Sequence, residues 1–242
     1  MNCQLNKLPG KSWLLYNVML ESGARQIFSG PGLYALQYPG KPLWLYAEDS
    51  CKPEHLMDFY NSIKNEANDI TGLVAADWAT EICPWTPVDV WELAAFYMPD
   101  AAAYTHRGQL IYPAAADIPE VTTWIMDFYI EALGTEFDGE EAARALIAGK
   151  KIYCLEIEDG LVVAMGMLIP IFCGLCRLNL IYVPPHMRGR GFGKDVAAAC
   201  ASKAFEQNQT PVLYARTDNA AAMGLYKSLG FVEAGRLIEL KF

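Results

Sequence analysis

Ile181-Tyr182-Val183-Pro184-Pro185-His186-Met187-Arg188-Gly189-Arg190-Gly191-Phe192-Gly193-Lys194 runs from a strand, through a loop, into a helix. The apolar, β-branched segment from Leu178 to Val183 stops at two prolines, and an alanine-rich helix begins near Gly191. Between them lie three glycines and three cations. Glycines let backbone N–H groups converge on one point. The first N–H groups of a helix lack partners and sit at the positive end of its dipole. Together these features make an anion site suited to a phosphate-bearing cofactor. Spacing excludes two nucleotide loops. A Walker A loop, G-x-x-x-x-G-K-S/T, needs glycine where Arg188 stands and Ser or Thr where Asp195 stands. A dinucleotide fingerprint, G-x-G-x-x-G, needs glycine at Lys194 or Val196 and belongs in a first βα unit, whereas this loop lies late in the chain. The pattern R/Q-x-x-G-x-G/A remains, matched by Arg188, Gly191 and Gly193.

The elements around the loop are legible. Gly108 to Pro113 contains a short strand. Asp117-Ile118-Pro119-Glu120 reads as a helix start, with Asp117 as N-cap and proline in the first turn. That helix runs to about Leu133, ended by Gly134, and a second spans Gly139 to about Ala148, closed by Gly149. Three antiparallel strands follow: Lys151 to Ile157, Leu161 to Ile171 and Arg177 to Val183, the first two joined by a turn at Glu158-Asp159-Gly160. After the loop come a helix from Gly191 to Glu206, a strand from Pro211 to Thr217, a helix from Asn219 to Leu229 and a strand from Phe231 to Leu240.

A second motif stands in Asn219-Ala220-Ala221-Ala222-Met223-Gly224-Leu225-Tyr226-Lys227-Ser228-Leu229-Gly230-Phe231. Its Asn219, Ala222, Tyr226, Gly230 and Phe231 match N-x-x-A-x-x-x-Y-x-x-x-G-F. The order β-α-α-β-β-β-α-β-α-β, the glycine-rich loop and this helix together resemble the GNAT superfamily of acyl-CoA-dependent N-acyltransferases. The resemblance implies an α/β (mixed α+β) GNAT fold over residues 106–242: a central, mostly antiparallel sheet splayed at the cofactor slot. It also implies acetyl-CoA as cosubstrate and no metal.

The physical reading stands beside it. Backbone N–H groups of Gly189, Arg190, Gly191, Phe192, Gly193 and Lys194 would take the pyrophosphate, with positive charge from Arg188, Arg190 and Lys194. Pantetheine amides would pair with the free edge of Ile181, Tyr182 and Val183, and an N–H at the bend would polarise the thioester carbonyl. The prolines after Val183 suit either a splay or a plain strand end. By the resemblance, Tyr226 is the general acid for the departing thiolate, a phenol of reference pKa near 10 being a reasonable match. The bland alternative is an aromatic packed on the sheet. Asn219 would contact coenzyme A, and it also reads as an ordinary N-cap. Some relatives carry a Glu base on the preceding strand, where this chain has Tyr214. Asp127 and Glu156 are substitute bases, though a water relay is preferred to either. His186 reads as an exposed loop residue.

Bulk properties narrow the field. A net charge of −9 argues against a general nucleic-acid binder and leaves room for an amine substrate. No run of about 18 apolar residues suggests a membrane span. The start, Met1-Asn2-Cys3-Gln4-Leu5-Asn6-Lys7, lacks a secretory pattern, and seven scattered cysteines fit a reducing cytoplasm. Cys173-Gly174-Leu175-Cys176 has no second ligand pair and reads as residues flanking a hairpin turn rather than a zinc or redox site.

Residues 1–105 carry no motif and read as a smaller α/β domain, a degenerate GNAT-like half. A hairpin is expected from Leu33–Tyr38 and Leu43–Ala47 around Pro39-Gly40-Lys41-Pro42. A helix follows from Pro53 to about Glu66, then a strand from Ile70 to Ala75. Val88 to Tyr97 reads as a short helix with Trp91 and Ala95 on one face. The boundary is placed at Asp100 to His106. The function expected is transfer of acetyl to a primary amine, on a small molecule or a peptide, with a homodimer left open. The rival readings are a coenzyme A-binding module without turnover and an amino-acid N-acyltransferase using other acyl-CoAs.

Overall fold

The computed structural model describes residues 25–30, 32–37, 42–47, 51–63, 70–101, 104–134, 136–137, 139–171 and 174–242. Strand β1 (Arg25–Gly30) leads into β2 (Leu33–Gln37) and β3 (Leu43–Ala47). The last two form the expected antiparallel hairpin, Leu33 opposite Ala47 and Gln37 opposite Leu43. Most of its turn lies outside the described residues. Helix α1 (Pro53–Ile63) starts on its proline and buries Leu56, Phe59, Tyr60 and Ile63, the i, i+3, i+4, i+7 stripe that its spacing dictates. Its expected continuation to Glu66 is outside the described residues. Strand β4 (Gly72–Ala75) is buried throughout, and a single-turn helix α2 (Asp77–Glu81) follows.

The next element corrects the sequence reading. Asp89–Tyr97 is a strand, β5, not a helix. Trp91 and Ala95 are four residues apart, a separation that shares a face in either structure. Leu93, Ala94, Ala95 and Phe96 are buried on both faces, so the run carries no alternation to announce a strand.

Beyond it come β6 (Gln109–Ile111) and helix α3 (Ile118–Phe128). A π-helical turn (Tyr129–Leu133) continues α3 and is closed by left-handed Gly134 at φ 62°. Asp117 precedes α3 but does not cap it through its side chain. Its carboxylate accepts instead from the Ala114 N–H at 3.0 Å, tying the loop before the helix. Helix α4 (Glu140–Ala148) and strands β7 (Ile152–Glu156), β8 (Val162–Ile171) and β9 (Leu175–Tyr182) agree with expectation. So do α5 (Phe192–Glu206), β10 (Thr210–Arg216), α6 (Ala220–Ser228) and β11 (Val232–Lys241).

The strands form one sheet in the order β1-β2-β3-β4-β11-β5-β10-β9-β8-β7-β6. Among the described strands only β3/β4 and β9/β10 are parallel neighbours. Strand β5 lies between β10 and β11, and β11 pairs in turn with β4. Each half of the chain therefore contributes a strand beside strands of the other. The β9/β10 pairing covers only Leu175–Arg177 against Thr210–Val212. Past Leu178 the two strands share no ladder, and the sheet opens there.

A bulge aims the residues at this opening. Met167 opposes Asn179 but Met165 opposes Tyr182, Leu180 takes a φ of 49°, and the Asn179 side chain accepts from the Leu180 N–H at 2.9 Å. The extra residue flips the faces. Leu178 packs on the α5 side, whereas Leu180 and Tyr182 pack under α3 and α4. Helix α5 lies close on the sheet through Val196, Ala197, Cys200, Ala201 and Ala204, all buried. Among the described residues no helix is long and apolar enough to cross a membrane.

Candidate active site

A groove of about 670 Å³ opens where β9 and β10 part. One wall is the end of β9 with Ile181, Tyr182 and Val183; its floor is the glycine-rich loop and the start of α5, with Arg188, Gly189, Gly191, Phe192, Gly193 and Lys194. The other wall is α6, with Asn219, Tyr226 and their neighbours Ala221, Ala222, Gly224, Leu225 and Ser228. The two sequence motifs, separated in the chain by α5 and β10, thus line one cavity. Of the residues expected to bind the cofactor or to give the proton, Arg190 alone stands outside the lining. Its carbonyl accepts from Arg107 Nη2 at 2.6 Å, and its guanidinium lies 3.8 Å from Met187 Sδ.

Local geometry suits an anion at the floor. Gly189 and Gly191 adopt φ of 76° and 85°, which an L side chain rarely takes, and Gly191 is the N-cap of α5. The N–H groups of Phe192 and Gly193 lack intrahelical acceptors and point toward the loop end of the helix dipole. Lys194 extends over the Tyr104 ring, its Nζ 4.5 Å from the centroid.

Arg188 is engaged with the strand and with α3's π-helical turn. Its Nε donates to the Val183 carbonyl at 2.9 Å, and its Nη2 donates to Glu131 Oε2 at 2.6 Å. The Tyr182 hydroxyl donates to the other Glu131 oxygen at 3.0 Å. Burial, and then the Glu131 carboxylate, raise the Tyr182 phenol above its ordinary pKa. Glu131, Phe128 and Ala132 complete the lining.

Tyr226 is buried at 8% exposure yet lines the groove, its ring edge-on to Phe231 at 5.6 Å and tilted on Phe96 at 6.2 Å. Burial, and then neighbouring Cys200, push its phenol above the usual value, so it is protonated at neutral pH. Asn219 accepts from the Ala222 N–H at 3.0 Å and caps α6 while facing the groove.

Neither substitute base lines the cavity. Glu156 accepts from Gln109 Nε2 at 2.8 Å on the β6/β7 edge, and Asp127 sits on α3 outside the lining. Tyr214, at the position of the relatives' glutamate, packs on Trp44 at 5.5 Å. His186 is exposed in a 3₁₀ turn. Burial pushes the Cys176 thiol up to about 12, which leaves it protonated and unreactive at neutral pH; Cys173 lies outside the described residues.

Sequence reasoning missed two sets of residues. The α6 set, Ala221, Gly224, Leu225 and Ser228, falls at helical spacing from Asn219 and Tyr226 and was within reach of a helical projection. Glu131 was not, since only the packing of α3 on β9 brings it to Arg188.

A family model described as the acetyltransferase (GNAT) family matches residues 118–231. No curated protein matches the chain in sequence. Among solved structures the chain is similar to a GCN5-related N-acetyltransferase from Kribbella flavida, at a TM-score of 0.64 and 17% identity over 96% of this chain and 93% of that one. It is also similar to a GNAT-family acetyltransferase from Colwellia psychrerythraea, at a TM-score of 0.61 and 14% identity over 98% and 97%. At these identities the likeness is one of fold, and it extends over both halves of the chain.

Proposed function

For a chain that belongs, through residues 118–231, to the GNAT acetyltransferase family, we propose transfer of acetyl from acetyl-CoA to a primary amine by direct attack in a ternary complex. The observation that supports this is the shared groove: the glycine-rich floor, the unpaired end of β9 and Tyr226 face one cavity. The residues fit coenzyme A. The floor offers N–H donors and cations for a pyrophosphate, and β9 beyond Arg177, no longer laddered to β10, offers backbone to the pantetheine amides, save the Val183 carbonyl that Arg188 takes. When bound, acetyl-CoA supplies an activated acyl group as a thioester. Ile181, Tyr182 and Val183 orient it, and an N–H of this strand polarises the carbonyl oxygen. The amine nitrogen forms the new bond to the carbonyl carbon as the carbon–sulphur bond breaks. Tyr226, protonated and walled in by Phe96 and Phe231, gives its proton to the departing sulphur. The amine's proton leaves through water, because among the described groove-lining residues the one carboxylate is Glu131, whose two oxygens are occupied by Tyr182 and Arg188.

That no free carboxylate stands among the described lining residues favours one second reading, a coenzyme A-binding module without turnover. The two are separated by incubating the whole chain with acetyl-CoA, and in parallel with longer acyl-CoAs, and a panel of amines, amino acids and peptides while following free thiol. Amine-dependent thiol release supports the enzyme. Tight binding of acetyl-CoA with no release on any acceptor supports the module, and a preference for longer acyl-CoAs would point to the amino-acid acyltransferase reading.

A further inference from the structure

We propose that Arg107 is a positioning residue for the phosphate-binding loop, acting by neutralising a buried carboxylate beneath it and by holding the loop's backbone. This rests on the reading of the groove as a coenzyme A site. The carboxylate is Asp195, in the first turn of α5 and 0% exposed. Its Oδ1 accepts from the Tyr104 hydroxyl at 3.0 Å and from the Arg107 backbone N–H at 3.2 Å. Its Oδ2 accepts from Arg107 Nε at 2.8 Å and lies 2.5 Å from Arg107 Nη2. Every one of these donors comes from the segment between β5 and β6, where the two halves of the chain meet.

Two consequences follow for anion binding. A buried carboxylate is costly unless paired and hydrogen-bonded. At a helix N-terminus it is favourable toward the dipole, but this one shares its turn with the N–H groups that would receive a pyrophosphate. Left unpaired, it would repel that ligand and weaken the positive end of α5. The guanidinium cancels it. The same side chain then reaches the loop itself: Nη2 donates to the Arg190 carbonyl at 2.6 Å, and the guanidinium carbon stands 4.9 Å from the Phe192 ring centroid. Between them, a Cβ added at Gly191 would lie 3.1 Å from Nη2. One arginine thus contacts Arg190 and Phe192 across the glycine between them, and it braces a loop whose glycines leave it many alternative conformations when unheld.

The test is calorimetric titration of coenzyme A into the whole chain as wild type, Arg107→Gln, Arg107→Lys, and the double variant Arg107→Gln/Asp195→Asn. Arg107→Gln should weaken binding by about tenfold or more, the scale of one uncompensated charge close to the phosphates. The double variant, which leaves no charge behind but still lacks the brace on the loop, should recover part of that loss. Arg107→Lys, which keeps the charge without the fork, should fall between. Wild-type affinity in Arg107→Gln, or a double variant no tighter than Arg107→Gln, overturns the proposal. Should Arg107→Gln fail to fold, Arg107→Lys carries the test, and wild-type affinity in it is the overturning result. A wild type that binds no coenzyme A would instead sink the reading of the groove, and this proposal with it.

Discussion

The proposed chemistry gives Tyr226 the acid's part, and its environment makes a double-sided expectation. Substitution by Phe removes one proton and little volume. Turnover should fall by about 10²–10⁴, the usual contribution of a positioned general acid, while the acetyl-CoA dissociation constant stays put. Its pH behaviour has a definite sign. Burial and then Cys200 raise the phenol's pKa above its ordinary value of 10.0, so the proton-donating form persists and the alkaline fall in turnover should begin above pH 10. Stability follows the same linkage: a group whose folded pKa is raised contributes fully below its unfolded pKa and loses that contribution as pH climbs past it. Tyr60, raised by burial and then by Cys83, acts in the same direction. Urea midpoints should hold steady up to about pH 9 and fall beyond about pH 10. At this scale the loop and helix residues were legible because each chemistry rests on local spacing. Glu131, Tyr104 and the Arg107–Asp195 pair were not, since their partners lie on other elements.

Among the elements, β9 and the start of α5 give the groove one wall and its floor, and a single glycine on β8 lies tight against both. A Cβ at Gly166 on β8 would lie 2.7 Å from Cys200 Sγ and 3.0 Å from Ile181 Cδ1. Gly166→Ala should therefore push α5 off the sheet and cost about 1–3 kcal/mol of stability, as overpacked cores do, read from urea denaturation. Because Ile181 lines the groove and Cys200 neighbours Tyr226, acetyl-CoA binding should weaken with it. The helices could be read from the sequence since amphipathic stripes and closing glycines are local, as Leu56, Phe59 and Ile63 or Gly149 show. The failures share another cause. Asp117 found a partner in Ala114 that competes with capping, and β5, buried on both faces, lost the period-2 signature that marks a half-exposed strand.

Across the whole molecule the halves are joined by more than their connecting segment. Strand β5, from the first half, pairs with both β10 and β11, and it supplies Ala94 and Phe96 to the cluster that holds Leu213, Tyr226 and Phe231. Residues 106–242 alone would leave two strands without their shared neighbour and Tyr226 without one of its aromatic walls. That fragment should show no cooperative urea transition by near-ultraviolet circular dichroism, and adding residues 1–105 should restore one; a fragment that unfolds as sharply as the intact chain would refute this. Local patterning located most elements but could not reveal this arrangement, because the order of strands in a sheet depends on contacts between distant segments. The groove itself is the central claim, and Gly224 gives direct access to it. Gly224 lines the cavity, and an added Cβ there meets nothing within 4 Å, so a large side chain can enter without disturbing α6. The decisive measurement is calorimetric titration of acetyl-CoA into the wild type and into Gly224→Trp. The expected result is saturable binding to the wild type and none to the equally stable variant; equal binding to both would contradict the assignment of the groove to coenzyme A.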